Sequence, residues 1–146
     1  MPFQYLRFRT FVNATESEDK VSKALTEVTG QEEQERSETQ GHHGNPIVIL
    51  ETELKRKKDI RKFFSLLDRD DIQRLLDSLE DRVDEDSHFY MRLDKQEAYL
   101  GRLRMAVDRD VIQVQGALVS YPKSREVALG SMKDFLNSLL SLSSEK

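Results

Sequence analysis

The chain has no cysteine and no tryptophan, only three prolines and six glycines, and no apolar run near the roughly 18 residues that a membrane-spanning helix needs. The absence of cysteine excludes disulfide scaffolds, thiolate metal sites and cysteine nucleophiles, and predicts a reducing, intracellular setting. The missing apolar run predicts a cytoplasmic protein that does not engage a membrane. The opening Met1-Pro2-Phe3-Gln4-Tyr5 agrees, with neither a basic, apolar leader nor a lipidation signal. There is also no glycine-rich phosphate loop, no G-x-S-x-G elbow and no H-E-x-x-H helix, so the sequence predicts no enzyme and no cofactor.

What the chain does have is charge. Of its 146 residues 34% are charged and 37% hydrophobic, a balance that suits one domain over 1–146 with a sizeable core. The net charge of −4 hides a segregation of sign. Residues 31–40 carry net −3 and residues 68–86 net −6, so with −4 overall the other 117 residues carry +5. A basic surface on an acidic protein follows, and local potential steers partners more than the isoelectric point does.

Periodicity gives the elements. Leu6, Phe8, Thr10 and Val12 alternate with Tyr5, Arg7, Arg9 and Phe11 in a first strand, Gln4 to Val12. Thr15 and Glu18 form a capping-box pattern, Val21, Ala24, Leu25 and Val28 make a helical stripe, and Gly30 stops it. Residues 31–45 lose all apolar periodicity and read as a mobile surface loop. Pro46 to Leu54 reads as a second strand. A helical hairpin follows, with Ile60, Phe63, Phe64 and Leu67 striping one helix and Ile72, Leu75, Leu76, Leu79 and Val83 the other, around Asp68-Arg69-Asp70. Three strands (His88 to Leu93, Arg102 to Val107, Val111 to Tyr121), a helix through Met132, Leu136 and Leu139, and a polar tail over 141–146 complete the chain. The order β-α-β-α-α-β-β-β-α predicts an α+β fold: a mostly antiparallel sheet of about five strands with helices on one face.

Alternation then says what the opposite face presents. Tyr5, Arg7, Arg9 and Phe11, with His88, Tyr90, Arg92, Arg102, Arg104, Gln113 and Gln115, would share it. Arginine forks match phosphate oxygens, rings stack on bases and glutamines bond base edges, a combination that fits RNA. A solvated face or a dimer surface fits the same composition. Lys55, Arg56, Lys57, Lys58, Arg61 and Lys62 form a second basic cluster, either an anion site at a helix start or ordinary surface charge. In Gly41-His42-His43-Gly44-Asn45-Pro46 the adjacent histidines of an extended segment point apart, so the loop predicts no metal site; it makes a turn, or offers donors and flat rings to RNA. Asp84-Glu85-Asp86 reads as a solvated turn more readily than as a nuclease-like cluster.

Thr15 to Val21, Gly41 to Ile47, Arg82-Val83-Asp84-Glu85 and the run Arg92-Leu93-Asp94-Lys95-Gln96-Glu97-Ala98-Tyr99-Leu100-Gly101 together resemble an archaeal family of RNA-binding proteins predicted to be exosome-associated, over most of the chain. The family is described as having a fold like a double-stranded-RNA-binding domain, and a related family looks akin to the ribosomal protein that binds 5S rRNA. The resemblance implies RNA binding without catalysis, near the exosome or the ribosome. The expected contacts are Tyr5, Arg7, Arg9, His42, His43, Asn45, Tyr90, Arg92, Lys95, Gln96, Arg102 and Arg104, with no catalytic and no metal-binding residue. The rival expectation is a protein-interaction or homodimerisation module on the same face.

Overall fold

In β1 (Phe3–Val12) the side chains of Leu6, Phe8, Thr10 and Val12 are buried while Arg7 and Arg9 are exposed, so a period of two assigns one side to the core and the other to water. The computed structural model describes residues 1–40, 44, 46–106 and 110–144. β1 is the central strand. It pairs with β3 (Pro46–Leu54) on one side and β5 (Val111–Leu118) on the other. β2 (Glu35–Gln40) borders β3, and β4 (His88–Asp94) borders β5, giving the order β2-β3-β1-β5-β4 with antiparallel pairing throughout.

The helices are α1 (Glu18–Thr29), α2 (Lys57–Ser65), α3 (Arg69–Asp77), α4 (Leu79–Arg82), α5 (Lys95–Tyr99) and α6 (Arg125–Ser144). Their apolar stripes meet the buried side of the sheet. Phe3 stacks on Phe64 at 5.2 Å between ring centroids, Phe64 meets Phe135 edge-on at 5.4 Å, and Phe8 meets Phe63 at 5.0 Å. Each such pair adds about 0.5–1.5 kcal/mol beyond the area it buries, and together they fasten β1 to α2 and α6. Six of the seven phenylalanines lie in this core; Phe11 faces the other side of the sheet.

The expected α+β class, with five antiparallel strands and helices against one face, is what the structure has. The order of elements differs. Within 31–45, read as a loop, lies β2, whose six side chains are all exposed; a strand that buries no side chain leaves no apolar alternation to read. Its charged residues suit a sheet edge, where they oppose pairing with another chain. The strand expected over Arg102 to Val107 reduces, among the described residues, to one bridge between Leu93 and Met105. α5 occupies the connection instead, opened by the Asp94 carboxylate accepting from Glu97 N–H. Gly101 turns the chain at φ +76°; Asp94 N–H to Arg104 O and Ala106 N–H to Arg92 O flank the bridge, and on the side away from β4 the Met105 N–H goes to Asp71 Oδ2. Ser78 divides the second helix of the hairpin into α3 and α4. The cap of α1 is Ser17, not Thr15, and Glu16 Oε1 accepts from Asn13 N–H. Gly30, at φ +71°, closes α1 as expected.

Gly116 faces the core between its cross-strand partners Leu6 and Phe89. A Cβ there would stand 2.5 Å from Phe3 Cε1 and 2.9 Å from Leu6 Cδ2. We expect Gly116→Ala to lower stability by about 1–3 kcal/mol, measured by urea unfolding; an unchanged midpoint would contradict this packing.

Candidate functional site

The register carries the open-face residues of β1 into rows across the sheet. Arg9 lies between Glu51 of β3 and Gln113 of β5, and Gln113 in turn faces Arg92 of β4. One row along, Arg7 lies between Glu53 and Gln115, and Gln115 faces Tyr90. Tyr5 and His88 both flank Ala117. The face is therefore divided: Glu35, Glu51 and Glu53 lie over β2 and β3, and arginines, rings and amides over β1, β5 and β4.

Beyond the β4 edge, Asp81 and Arg82 of α4 and the segment at Met105 and Ala106 border an open concavity of about 680 Å³. Arg7, Arg9, Arg82 and Arg92 all line it. None of the four has a carboxylate oxygen within 4 Å among the described residues. The Arg7 guanidinium sits 5.1 Å from the centroid of the Tyr5 ring and that of Arg9 5.3 Å from Phe11, contacts worth about 0.5–1 kcal/mol each at exposed sites. Arg82 is half-buried and donates from Nε to Ser78 Oγ at 2.7 Å. Burial first, and then the like charge of Arg92, pull its pKa down despite Asp81. An anion between Arg82 and Arg92 would relieve both effects.

Of the expected contacts, Tyr5, Arg7, Arg9, Tyr90 and Arg92 share this face. Tyr90 is 43% exposed and donates its hydroxyl to Asp84 Oδ2 at 3.0 Å; burial and this bond raise its pKa. His42, His43 and Asn45 lie outside the described residues. Four others are placed elsewhere. Lys95, expected at the rim, is 1% exposed and donates to Phe11 O, Glu16 Oε1 and Asp110 Oδ1 at 2.6, 2.8 and 3.1 Å. Gln96 donates to Asp110 Oδ2 beside it. Arg104 is held by Asp68 at 2.8 Å and by the fully buried Asp71 at 3.1 Å, and Arg102 lies 3.5 Å from Glu97. The three cations among them, Lys95 in α5 and Arg102 and Arg104 in the segment that follows it, each meet a carboxylate of the chain. Arg82, missed as a contact, ends a four-residue helix, where no periodicity marks its direction; the acid at Glu51 follows from the alternation of β3 and was equally readable.

Asp84, Asp86 and His88 bring one ligand atom each within 4.8 Å of one another. The Asp84 oxygens already accept from Asp86 N–H, His88 N–H and Tyr90 Oη. Burial works to raise the Asp84 pKa, and these donors outweigh it, holding the carboxyl below its ordinary range. The group serves as the turn before β4.

Fold and face define a small α+β protein with a basic and aromatic patch on an open antiparallel sheet, bordered by acids on its β3 side. The chain belongs to the family whose model, described as RNA binding, matches residues 5–118. It is 37% identical over 141 residues to "RNA-binding protein PAB1135" of Pyrococcus abyssi, covering 90% of this chain and 92% of that one. The Archaeoglobus fulgidus protein AF2318, titled a DUF54 family member, superposes with a TM-score of 0.81 at 35% identity, over 91% of this chain and 99% of that chain. Mth689, a DUF54 protein of Methanothermobacter thermautotrophicus, gives 0.80 at 33% identity, over 93% and 99%. Among the described residues no helix is long and apolar enough to cross a membrane.

The Lys95 node yields a prediction for stability. Burial tends to raise the Glu16 pKa, but the bonds from Lys95, Asn13 N–H and Tyr99 Oη prevail and lower it. A lowered folded value contributes stability that is full above the unfolded value of about 4.3 and is lost as pH falls through the folded one. Glu16→Gln should flatten this acid limb of the stability profile. Lys95→Ala, which leaves Glu16 and Asp110 facing each other without their cation, should cost about 3–5 kcal/mol in chemical unfolding; a loss under 1 kcal/mol, the range of an exposed ion pair, would contradict the buried node.

Proposed function

We propose that the protein binds RNA on the open face over β1, β5 and β4, without chemistry of its own. The observation that carries this is the set of four guanidiniums, Arg7, Arg9, Arg82 and Arg92, around one concavity with no carboxylate within 4 Å among the described residues. Exposed cations kept for solubility have no reason to converge, and convergence raises their mutual repulsion. Phosphates remove it. Tyr5 and Tyr90 offer rings to bases, and Gln113 and Gln115, between the arginines in each row, offer amides to base edges. Rings on an open sheet are usable only by unpaired bases, so the favoured ligand is a single strand or a loop. The match to a family described as RNA binding, and the name of the Pyrococcus abyssi relative, support the same reading.

An accessory role in RNA processing or degradation by the archaeal exosome, which the sequence resemblance implies, needs RNA that is held and not cut. Of the loop expected to assist, His42, His43 and Asn45 lie outside the described residues and remain candidate contacts.

The test is fluorescence anisotropy with a single-stranded RNA and a closed hairpin over a salt series. The native chain should favour the single strand, with log affinity falling about 0.7 per log unit of salt for each phosphate neutralised. Arg7→Glu with Arg92→Glu should weaken binding about tenfold or more and reduce that slope by roughly 1–2. Arg102→Glu, away from the face, should leave both unchanged. Binding that ignores salt and the face substitutions would move the assignment to a protein partner or a homodimer. Divalent-dependent cleavage abolished by Asp84→Asn would contradict binding without chemistry.

A further inference from the structure

The second basic cluster lies away from the sheet face. In α2 the residues Ile60, Phe63 and Phe64 are buried, which turns Lys57, Lys58, Arg61 and Lys62 outward on one exposed side of the helix. Lys55 and Arg56, also exposed, lead into it from the end of β3. Asp59 is the one acid within 55–62, so this stretch carries +5 in a chain of net −4. No carboxylate oxygen lies within 4 Å of any of the six cations among the described residues, whereas Arg36, Arg74, Arg102 and Arg104 all have one.

Their position adds to the mutual repulsion. Cations in the first turn of a helix oppose its dipole, and Arg56, at the N-cap position, supplies no capping side-chain hydrogen bond. Asp59, the acid of that first turn, offsets only part of this, so an external polyanion is the natural counter-charge. The place is also separate from the sheet face: the concavity that Lys55 and Arg56 line with Arg7 is lined as well by six carboxylates, among them Glu51, Glu53 and Asp59.

We propose that the segment 55–62 is a second phosphate-backbone site on the outer side of α2, which a single-stranded RNA reaches only when it is long enough to clear the acids that divide it from the sheet face. This rests on the sheet-face reading and extends it: the face holds bases and phosphates, and α2 holds phosphates only. A strand that spans both sites gains affinity by the high effective concentration of its second half.

The experiment compares oligouridylates of about 8 and about 30 nucleotides, bracketing the footprint of a small single-strand site, on the native chain and on Lys55→Gln/Lys57→Gln/Lys58→Gln/Lys62→Gln. Arg61 is left in place because its guanidinium lies 6.0 Å from the Phe135 ring. The variant should fold with an unchanged or raised Tm, since repulsion is removed. It should bind the short strand like the native chain, and the long strand at least tenfold more weakly, with a salt slope reduced by up to about 2.8. Unchanged long-strand binding overturns the α2 proposal while leaving the sheet-face reading intact. Equal loss with both strands also overturns it, because α2 would then be part of one short site. Native chain that binds neither strand contradicts both readings. Binding of the native chain to anionic phosphatidylserine vesicles, lost in the variant while RNA affinity is unchanged, would reassign the patch to a membrane surface and overturn the proposal.

Discussion

Phe8 and Arg9 are neighbours in the chain, yet Phe8 is fully buried against Phe63 while Arg9 stands in solvent across the sheet. That opposition, repeated along β1 and carried to β5 and β4 by hydrogen-bond register, is the constraint on which the open face depends. The core fixes the phase: a slip of one residue would bring Arg7 and Arg9 into the aromatic cluster and expose Leu6 and Phe8. Six phenylalanines hold the register against such a slip. The arrangement of arginines, tyrosines and glutamines opposite is thus a product of the packing beneath it.

Charge has two distinct uses in this molecule, and partners rather than counts separate them. Lys95, Arg104 and Asp71 are spent inside, where the Lys95 ammonium ties the end of β1 to Glu16 before α1 and to Asp110 before β5. Arg104 and Asp71 fasten the chain after α5 to α3. Arg7, Arg9, Arg82 and Arg92 outnumber Glu51 and Asp81 around a concavity and form no ion pair among the described residues, and the lysines of α2 outnumber Asp59 on a helix. A cation paired at 3 Å has little left for a ligand, whereas an unpaired group held near its like releases repulsion when a phosphate arrives.

Elements with a buried side were legible because burial writes a period into the sequence. The strand Gln4 to Val12, the stripe of α1 with its stop at Gly30, and the aromatic helix now seen as α2 all announce themselves this way. β2 buries none of its side chains and so left no period. Arg102-Leu103-Arg104-Met105 has the alternation of a strand, but a capped helix and a glycine turn precede it, and it keeps only a short pairing with β4, from Asp94 N–H to Arg104 O and from Ala106 N–H to Arg92 O. The signal for that helix was present, since Asp94 precedes Glu97 by the spacing of a cap. For the site, β1 and β4 residues came through alternation, whereas the burial of Lys95 and the placement of Arg82 depend on contacts far apart in sequence, which no local pattern records. The family resemblance pointed to archaeal relatives, one of them named as RNA-binding, but did not say which polar residues face outward.

The central claim is that RNA lies over β1, β5 and β4 on the side away from the helices. The most direct test is to titrate isotope-labelled protein with a short single-stranded RNA and follow backbone amide shifts residue by residue. The account predicts perturbations concentrated at Arg7, Arg9, Tyr90, Arg92, Gln113 and Gln115, with α3 and α6 silent. Shifts confined to the helical layer, or none at all, would contradict it.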